Sequence, residues 1–487
     1  MERFKLTVRD ASRYRILYII VLFFNNVSFI QLPAYPALFV MFFWGLYLVY
    51  YKIVREECFD RMRFSVWVLA FLATNFLTML INISVGLVYN LIMMAHISNC
   101  FFVFYGIHTE KDLNTKGELY KICKFIIYVT TILGVLGFAC LMSGIRFKIG
   151  WTNFIIFENR YTGLYTNPNI LGFISVVSIV CCHIISKHGF LVQAKRGRIS
   201  RIWLAVCLSV NLISLLLCDS NASFVLFICY VIFTLVFYYF SMSARMPLKQ
   251  AMIKLLALTI AAAYVVGASF MVRIICQRTI SSLQSSPQTV TEEIYDAPGG
   301  GEMKESFITA QPSESETVTF KHKNKNLDSG RIKLLQESIR LFWMSPVFGI
   351  SNGNIIEYSQ KYQNGTFTMS YHNNDIHNGY MTILVSTGIM GFLFFAVFGL
   401  RLGKHIIFNL FKRQNAASED ILPCLFAFCC SYLVYSLFEK ALLYDISFMV
   451  IWFWYMIGMS SVYLNKYEPL VGAHYNLRRH KIPRHMI

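Results

Sequence analysis

The chain has 487 residues, of which 56% are hydrophobic, 16% aromatic and only 14% charged, and it carries a formal net charge of +18. Soluble domains are about 45–50% apolar even with glycine counted, so this composition excludes an ordinary soluble domain and implies an integral membrane protein. The excess of positive charge takes its meaning from where the cations fall.

Crossing a bilayer core of roughly 30 Å takes a helix of about 17–25 residues. Twelve apolar runs meet that requirement, at roughly 15–31, 33–51, 64–82, 85–106, 122–144, 168–186, 202–218, 222–242, 253–272, 378–400, 421–437 and 445–464. No small-residue cleavage site follows the first run and a second comes at once, so the first is expected to be retained as a span. Thirty of the 44 Lys and Arg residues fall in the N-terminal segment, in alternate loops on the same side and in the tail. Positive loops stay in the cytoplasm, so both termini are expected there. The net charge is then a topology signal and a contact for anionic lipid, with little in it to suggest nucleic acid.

The thirteen cysteines lie almost wholly in the apolar runs, Cys276 being placed in the long outer loop, and their spacing offers no disulfide framework or metal site. Charged residues are nearly absent from the spans. His96 and His183 are the titratable residues well inside, and each is read as an interhelical histidine with satisfied hydrogen bonds. The chemistry-capable residues gather on the outer side instead: Arg160, the turn Asp219-Ser220-Asn221, Arg331, His377 and Glu439-Lys440. Segments so distant in sequence meet only if the helices bundle around a common mouth.

The organisation expected is nine spans over 1–272, an outer loop over 273–376, three spans over 377–464 and a basic cytoplasmic tail over 465–487. A loop this long exceeds what a connection needs. Its stretch 280–325 is rich in Ser, Thr, Glu, Pro and Gly and poor in core-forming residues, and is read as mobile. Over 331–343, Ile332, Leu335, Ile339 and Phe342 share one helical face, as expected of a helix lying along the membrane surface.

Three stretches then stand in order on the outer face: "RYTGLYTNPNILG" from Arg160, "RIKLLQESIRLFWMSPVFGISNG" from Arg331, and "HNGYMTILVSTGIMG" from His377. The last is His-Asn, nine residues and Gly-x-x-Gly. Together they resemble the bacterial O-antigen ligase and polymerase superfamily over roughly 160–440. The resemblance implies an all-α integral membrane enzyme with about 12 transmembrane helices, a GT-C-type glycosyltransferase fold and one large extracytoplasmic loop between spans 9 and 10. It also implies inverting transfer from a lipid-diphosphate-linked sugar. One departure concerns the turn where many members carry Ser-Arg and this chain has Ser220-Asn221.

That resemblance makes His377, Arg331 and Arg160 the catalytic candidates; among the other outer-side residues Glu439 is the competing base and Asp375 a weaker one, and the substrate-binding candidates are Asn167, Asn169, Asn378, Ser220 and Arg340. Arginine suits a diphosphate leaving group because its planar, permanently charged fork can bind two oxygens at once. A neutral imidazole can take a proton from an acceptor hydroxyl or hydrogen-bond the diphosphate. No Asp-rich metal motif appears on the outer side, so no cofactor and no metal are expected. Gly388 and Gly391 are read as permitting close helix packing.

The expected function is polymerisation of undecaprenyl-diphosphate-linked repeat units into a surface polysaccharide at the outer face of a bacterial cytoplasmic membrane. Its partners would be a lipid-linked donor and acceptor, membrane lipids, and a chain-length regulator and flippase. Two alternatives are a ligase passing the glycan to a different acceptor and a lipid-oligosaccharide flippase. The second is disfavoured by the lack of internal repeats and of a polar midplane lining.

Overall fold

Inside hydrocarbon a backbone has no water to bond, so each segment must satisfy its own N–H and C=O groups, which a helix does. The computed structural model of the chain describes residues 8–110, 115–143, 148–149, 152–157, 160–188, 199–243, scattered positions over 249–278, then 331–362, 367, 376–412 and 421–465. Within these lie α1 (Ala11–Phe24), α2 (Gln31–Val54), α3 (Ser65–Ile81) and α4 (Leu87–Asn99). A π turn, Cys100–Phe104, and a 3-10 turn, Tyr105–Thr109, continue α4. Next come α5 (Thr115–Met142), α6 (Pro168–His188), α7 (Arg201–Leu217), α8 (Asn221–Ser243), α9 (Arg331–Met344), α10 (Ile355–Tyr362), α11 (Gly379–Lys412), α12 (Leu422–Tyr435) and α13 (Phe448–Asn465).

Six of these, α2, α4 with its continuation, α5, α6, α8 and α11, are long and apolar enough to cross a membrane; α3, α7, α12 and α13 are shorter apolar helices. The chain is therefore a mostly helical, multi-pass membrane protein. The 280–325 stretch expected to be mobile lies outside the described residues, and the 253–272 run falls among the scattered positions, whose described residues are helical.

At the centre stands α13, apolar on every side and buried along most of its length, with Trp452, Trp454 and Tyr455 at most 1% exposed. A helix apolar all round must be enclosed. Trp454 packs on Phe101, Tyr105 and Phe398, and its indole N–H donates to the Leu442 carbonyl at 2.9 Å. A Cβ at Gly458 would lie 2.1 Å from the Phe104 carbonyl oxygen, so glycine there lets the α4 continuation come into backbone contact.

Two small antiparallel ribbons interrupt the helical pattern between α5 and α6. They pair β1 (Lys148–Ile149) with β2 (Thr152–Asn153), and β3 (Ile155–Phe157) with β4 (Arg160–Gly163). Just beyond β4, a bridge between Val27 and Tyr165 and a bond from Thr166 N–H to the Asn26 carbonyl at 3.0 Å hook the segment to the α1–α2 turn. That turn begins after Phe24, so the apolar run expected to span to residue 31 ends early as a helix.

The feature that organises the half of the bundle around α9 is a break in α11. Gly388 has φ 64° and ψ −169°, and the Ser345–Ser351 segment enters the gap. An unbroken helix would pair Val385 C=O with Ile389 N–H and Ser386 C=O with Met390 N–H. Here Ile350 and Ser351 N–H donate to the Val385 and Ser386 carbonyls at 3.0 and 3.1 Å. Ile389 and Met390 N–H instead donate to the Pro346 and Val347 carbonyls at 2.8 and 3.2 Å. Two helix bonds are thus replaced by four, so the Val385 and Ser386 carbonyls and the Ile389 and Met390 N–H groups stay paired. The expectation that Gly388 serves helix-to-helix packing is corrected: its Cβ would lie 2.2 Å from the Val347 carbonyl oxygen, so it admits an extended backbone. Gly349, at φ 77°, faces the Ser386–Gly388 backbone in the same way.

On its far side the inserted segment is held by the α3–α4 region. Thr78 Oγ1 donates to the Phe348 carbonyl, Asn82 Nδ2 to the Gly349 carbonyl at 3.4 Å, and Gly353 N–H to Asn90 Oδ1 at 2.7 Å. Immediately before this anchored segment runs α9. Its Ile332, Leu335 and Ile339 face outward as expected, while Phe342 packs against the small core beneath it. The inward face is made by Leu334, Glu337, Ser338 and Leu341, and Glu337 accepts from Ser359 Oγ at 3.0 Å, while Lys333, Gln336 and Arg340 are exposed.

At the opposite end of the bundle, Arg15 is fully buried and donates to Glu110 and Glu118 through bonds of 2.6–3.0 Å. Lys52, 1% exposed, reaches Glu110 at 2.6 Å. Both cations were expected to be plain markers of the inner side; they are partners in a buried ion network. Burial by itself would raise the Glu110 pKa, but Arg15 and Lys52 outweigh it and hold the carboxyl at about 2. A carboxyl depressed on folding stabilises the fold above its unfolded pKa and withdraws that stability as pH falls toward the folded value.

Two measurements follow. Gly388→Ala and Gly349→Ala are expected to destabilise the protein by about 3 kcal/mol or more, through positive φ and backbone overlap, whereas Gly399→Ala, whose Cβ meets nothing within 4 Å, is expected to be neutral or stabilising by up to about 1 kcal/mol; melting in detergent reads all three. Acidification from neutral pH to about pH 3 is expected to lower the melting temperature of wild type more steeply than that of Glu110→Gln, which has no proton left to take up there.

Candidate active site

Four segments bring their chemistry to Glu439, in the turn between α12 and α13. Arg331, the first residue of α9, donates through Nη2 to Glu439 Oε1 at 3.1 Å. His377 places Nδ1 3.5 Å from Oε2 of the same carboxylate. Asn169, in the first turn of α6, donates through Nδ2 to Oε1 at 3.5 Å and accepts on Oδ1 from Arg160 Nη1 at 3.2 Å. The carboxylate is 14% exposed, His377 28% and Arg331 34%. This depth places the group in a partly dehydrated mouth, where charges act more strongly than in bulk water.

Local structure explains each position. Asn167 caps α6, accepting on Oδ1 from Asn169 N–H at 2.7 Å, and Pro168 supplies the preset φ favoured at a first helical position. The cap turns Asn169 outward between Arg160 and Glu439. Beneath it, Ser220 Oγ donates to Ser223 Oγ at 3.0 Å, and Ser223 Oγ donates to the Asn169 carbonyl at 3.2 Å. Ser220 is 4% exposed, so it buttresses α6 and does not line the mouth.

His377 lies two residues before α11 and has φ 48°, a left-handed conformation uncommon outside glycine. Asn378 accepts on Oδ1 from Met381 N–H at 2.9 Å, and its Nδ2 donates to the Leu437 carbonyl at 3.1 Å. Gly379 N–H donates to the Ser436 carbonyl at 2.8 Å. The residues that lead from α12 into the Glu439 turn are thus tied to the start of α11, which sets His377 against the carboxylate.

The structure separates the expected residues into two groups. Arg160, Asn169, Arg331, His377 and Glu439 form one connected group. Asn167 and Asn378 are occupied as caps, and Ser220 is a support. Arg340 stands nine residues along α9 from Arg331, about 13 Å by helical rise, where it is 54% exposed and 3.7 Å from Glu337. It is therefore not part of the connected group around Glu439. His183, read as an interhelical histidine, has Nδ1 2.7 Å from the Tyr230 hydroxyl and Nε2 3.6 Å from Cys424 Sγ. Among the described residues no cluster of His, Cys, Asp and Glu is arranged to hold a metal ion.

Chemically, the group offers two guanidinium forks for an anion, an imidazole and a carboxylate that touches all three directly or through one amide. Residues 203–396 match the O-antigen ligase family model. The matched stretch contains Arg331, His377 and the break in α11, and it is consistent with the superfamily of O-antigen ligases and polymerases. Arg160, Asn169 and Glu439 lie outside it and join the site through the fold. No curated protein matches the chain.

Asn169 is the residue whose role needed the structure. Asn169→Leu is expected to lower glycan assembly by about 10–100-fold at equal expression, and combining it with Arg160→Ala is expected to add little, because residues that act as a unit are non-additive. Glycan yield from cells carrying the single and double variants measures this.

Proposed function

We propose that the protein is an inverting glycosyltransferase of the O-antigen polymerase kind, which joins polyprenyl-diphosphate-linked oligosaccharides at the outer face of a bacterial cytoplasmic membrane. The observation that carries this reading is the convergence of Arg160, Arg331 and His377 on Glu439, together with the family match over 203–396. In this reading the chain has about twelve spans of GT-C type, both termini are cytoplasmic, the 273–376 loop is external, and the lipid carrier is undecaprenyl diphosphate. Flippase and chain-length regulator are its expected partners.

Transfer breaks the bond between the sugar C1 and the diphosphate oxygen and forms one between C1 and an acceptor hydroxyl oxygen. The negative charge that develops on the leaving diphosphate is met by Arg331 and Arg160, both permanently cationic. A donor of this type aimed at developing charge is worth roughly 10²–10³ in rate. Glu439 Oε2 faces His377 Nδ1 at 3.5 Å and favours the tautomer with the proton on Nδ1, which leaves Nε2 to receive the acceptor proton. The carboxylate also fixes Arg331, leaving that guanidinium's other N–H groups for the phosphate. Two arginines in place of a divalent cation make the reaction metal-independent.

In a polymerase the acceptor is a second lipid-linked unit. A ligase passes the same donor to another molecule, and the family model's own description favours that second reading. The catalytic group would serve either, since only the acceptor differs.

Purified protein incubated with a short lipid-diphosphate oligosaccharide alone is expected to yield a ladder of longer glycans. His377→Ala and Arg331→Ala are each expected to reduce it by at least about 10²-fold, and a chelator is expected to leave it unchanged. No elongation until a separate acceptor is added would select the ligase reading, and turnover indifferent to both substitutions would remove the proposed site.

A further inference from the structure

Beside the break in α11, where α3, α4 and the inserted segment meet, lies a narrow cavity of about 20 Å³, measured as space open to water centres. Its wall includes Ser351, Asn352, Ser386, Tyr444, Met79 and Met93. Asn352 is 7% exposed, and neither its Nδ2 nor its Oδ1 has a hydrogen-bond partner; Ser386, 1% exposed, has an unpartnered Oγ. Buried polar groups are nearly always paired, with protein or with ordered water. Three orphaned atoms on one small cavity thus point to a missing guest.

The cavity's size and lining define that guest. One water needs about 10–15 Å³ by this measure, so the space takes one water and is too small for a sugar or a lipid chain. No carboxylate lines it, which leaves a cation uncompensated, and an apolar guest would leave Asn352 and Ser386 unpaired. We propose that the cavity is a permanent water site, in which one ordered water bridges the Asn352 carboxamide and the Ser386 hydroxyl. The water completes the joint: Ser386 sits in the interrupted stretch of α11, and Asn352 directly follows the segment inserted there. Hydration is then built into the contact that positions α9.

Radiolytic hydroxyl-radical footprinting in ¹⁸O-labelled water tests this on the full chain in detergent. Radicals born from a bound water oxidise the nearest thioether to the sulfoxide. Met79 and Met93, 5% and 4% exposed, are expected to be labelled several-fold faster than Met456 and Met459, which are buried on α13 away from the cavity. Asn352→Leu is expected to abolish the excess at Met79 and Met93, and Ser386→Val reads the same way if the first variant folds poorly. Equal, slow labelling of all four methionines in wild type would overturn the proposal, as would excess labelling that survives in a folded variant.

Discussion

A helix that crosses a membrane cannot leave backbone groups unpaired, and the end of the bundle that carries Arg331 and His377 is built around a place where a long helix is opened and repaired. At Gly388 the hydrogen bonds that α11 gives up are taken over by a segment of Ser345–Ser351 lying about 40 residues upstream. Because the repair is made by backbone, it fixes register as well as proximity. The start of α11 sets His377, the inserted segment sets the end of α9, and α9 begins with Arg331. Two of the chemically active residues are thereby referred to a single joint.

A second constraint aligns the remaining residues. Glu439 lies just after Ser436 and Leu437, whose carbonyls accept from Gly379 N–H and Asn378 Nδ2, so its approach to the mouth is referred to the start of α11. Asn169 couples it to the ribbon that carries Arg160. A carboxylate that holds Arg331 directly and Arg160 through Asn169 keeps two cations in place without substrate. That pre-organises an anion site, because the donors are ordered before the anion arrives.

Much of the helical pattern is legible in the sequence, since apolar runs of sufficient length can satisfy their backbone only as helices. Arg160, Arg331 and His377 are legible too, as motif members on one side of the membrane, and Glu439 as a competing base. What is hidden is partnership. Nothing local says that Gly388 faces a backbone from another segment, because glycine in an apolar helix more often marks side-chain packing. Asn169 and Ser220 look alike as polar residues near a span end, yet one bridges two charged groups and the other supports a helix from below. Arg340 shares its helix with Arg331 but, by helical rise alone, is carried well away from it. Arg15 and Lys52 announce their sign to a topology count, and their carboxylate partners are revealed only by folding.

That last network also bears on the order of biosynthesis. Arg15 and Lys52 emerge in the first two helices, while Glu110 and Glu118, which neutralise them, follow α4 and open α5. Lys52 also has Glu56 one turn along the chain at 3.8 Å, whereas both carboxylates that hold Arg15 lie beyond α4, so burying Arg15 without them would leave a bare charge in a medium of low dielectric. The close packing of α1 therefore depends on residues translated 95 and 103 positions later.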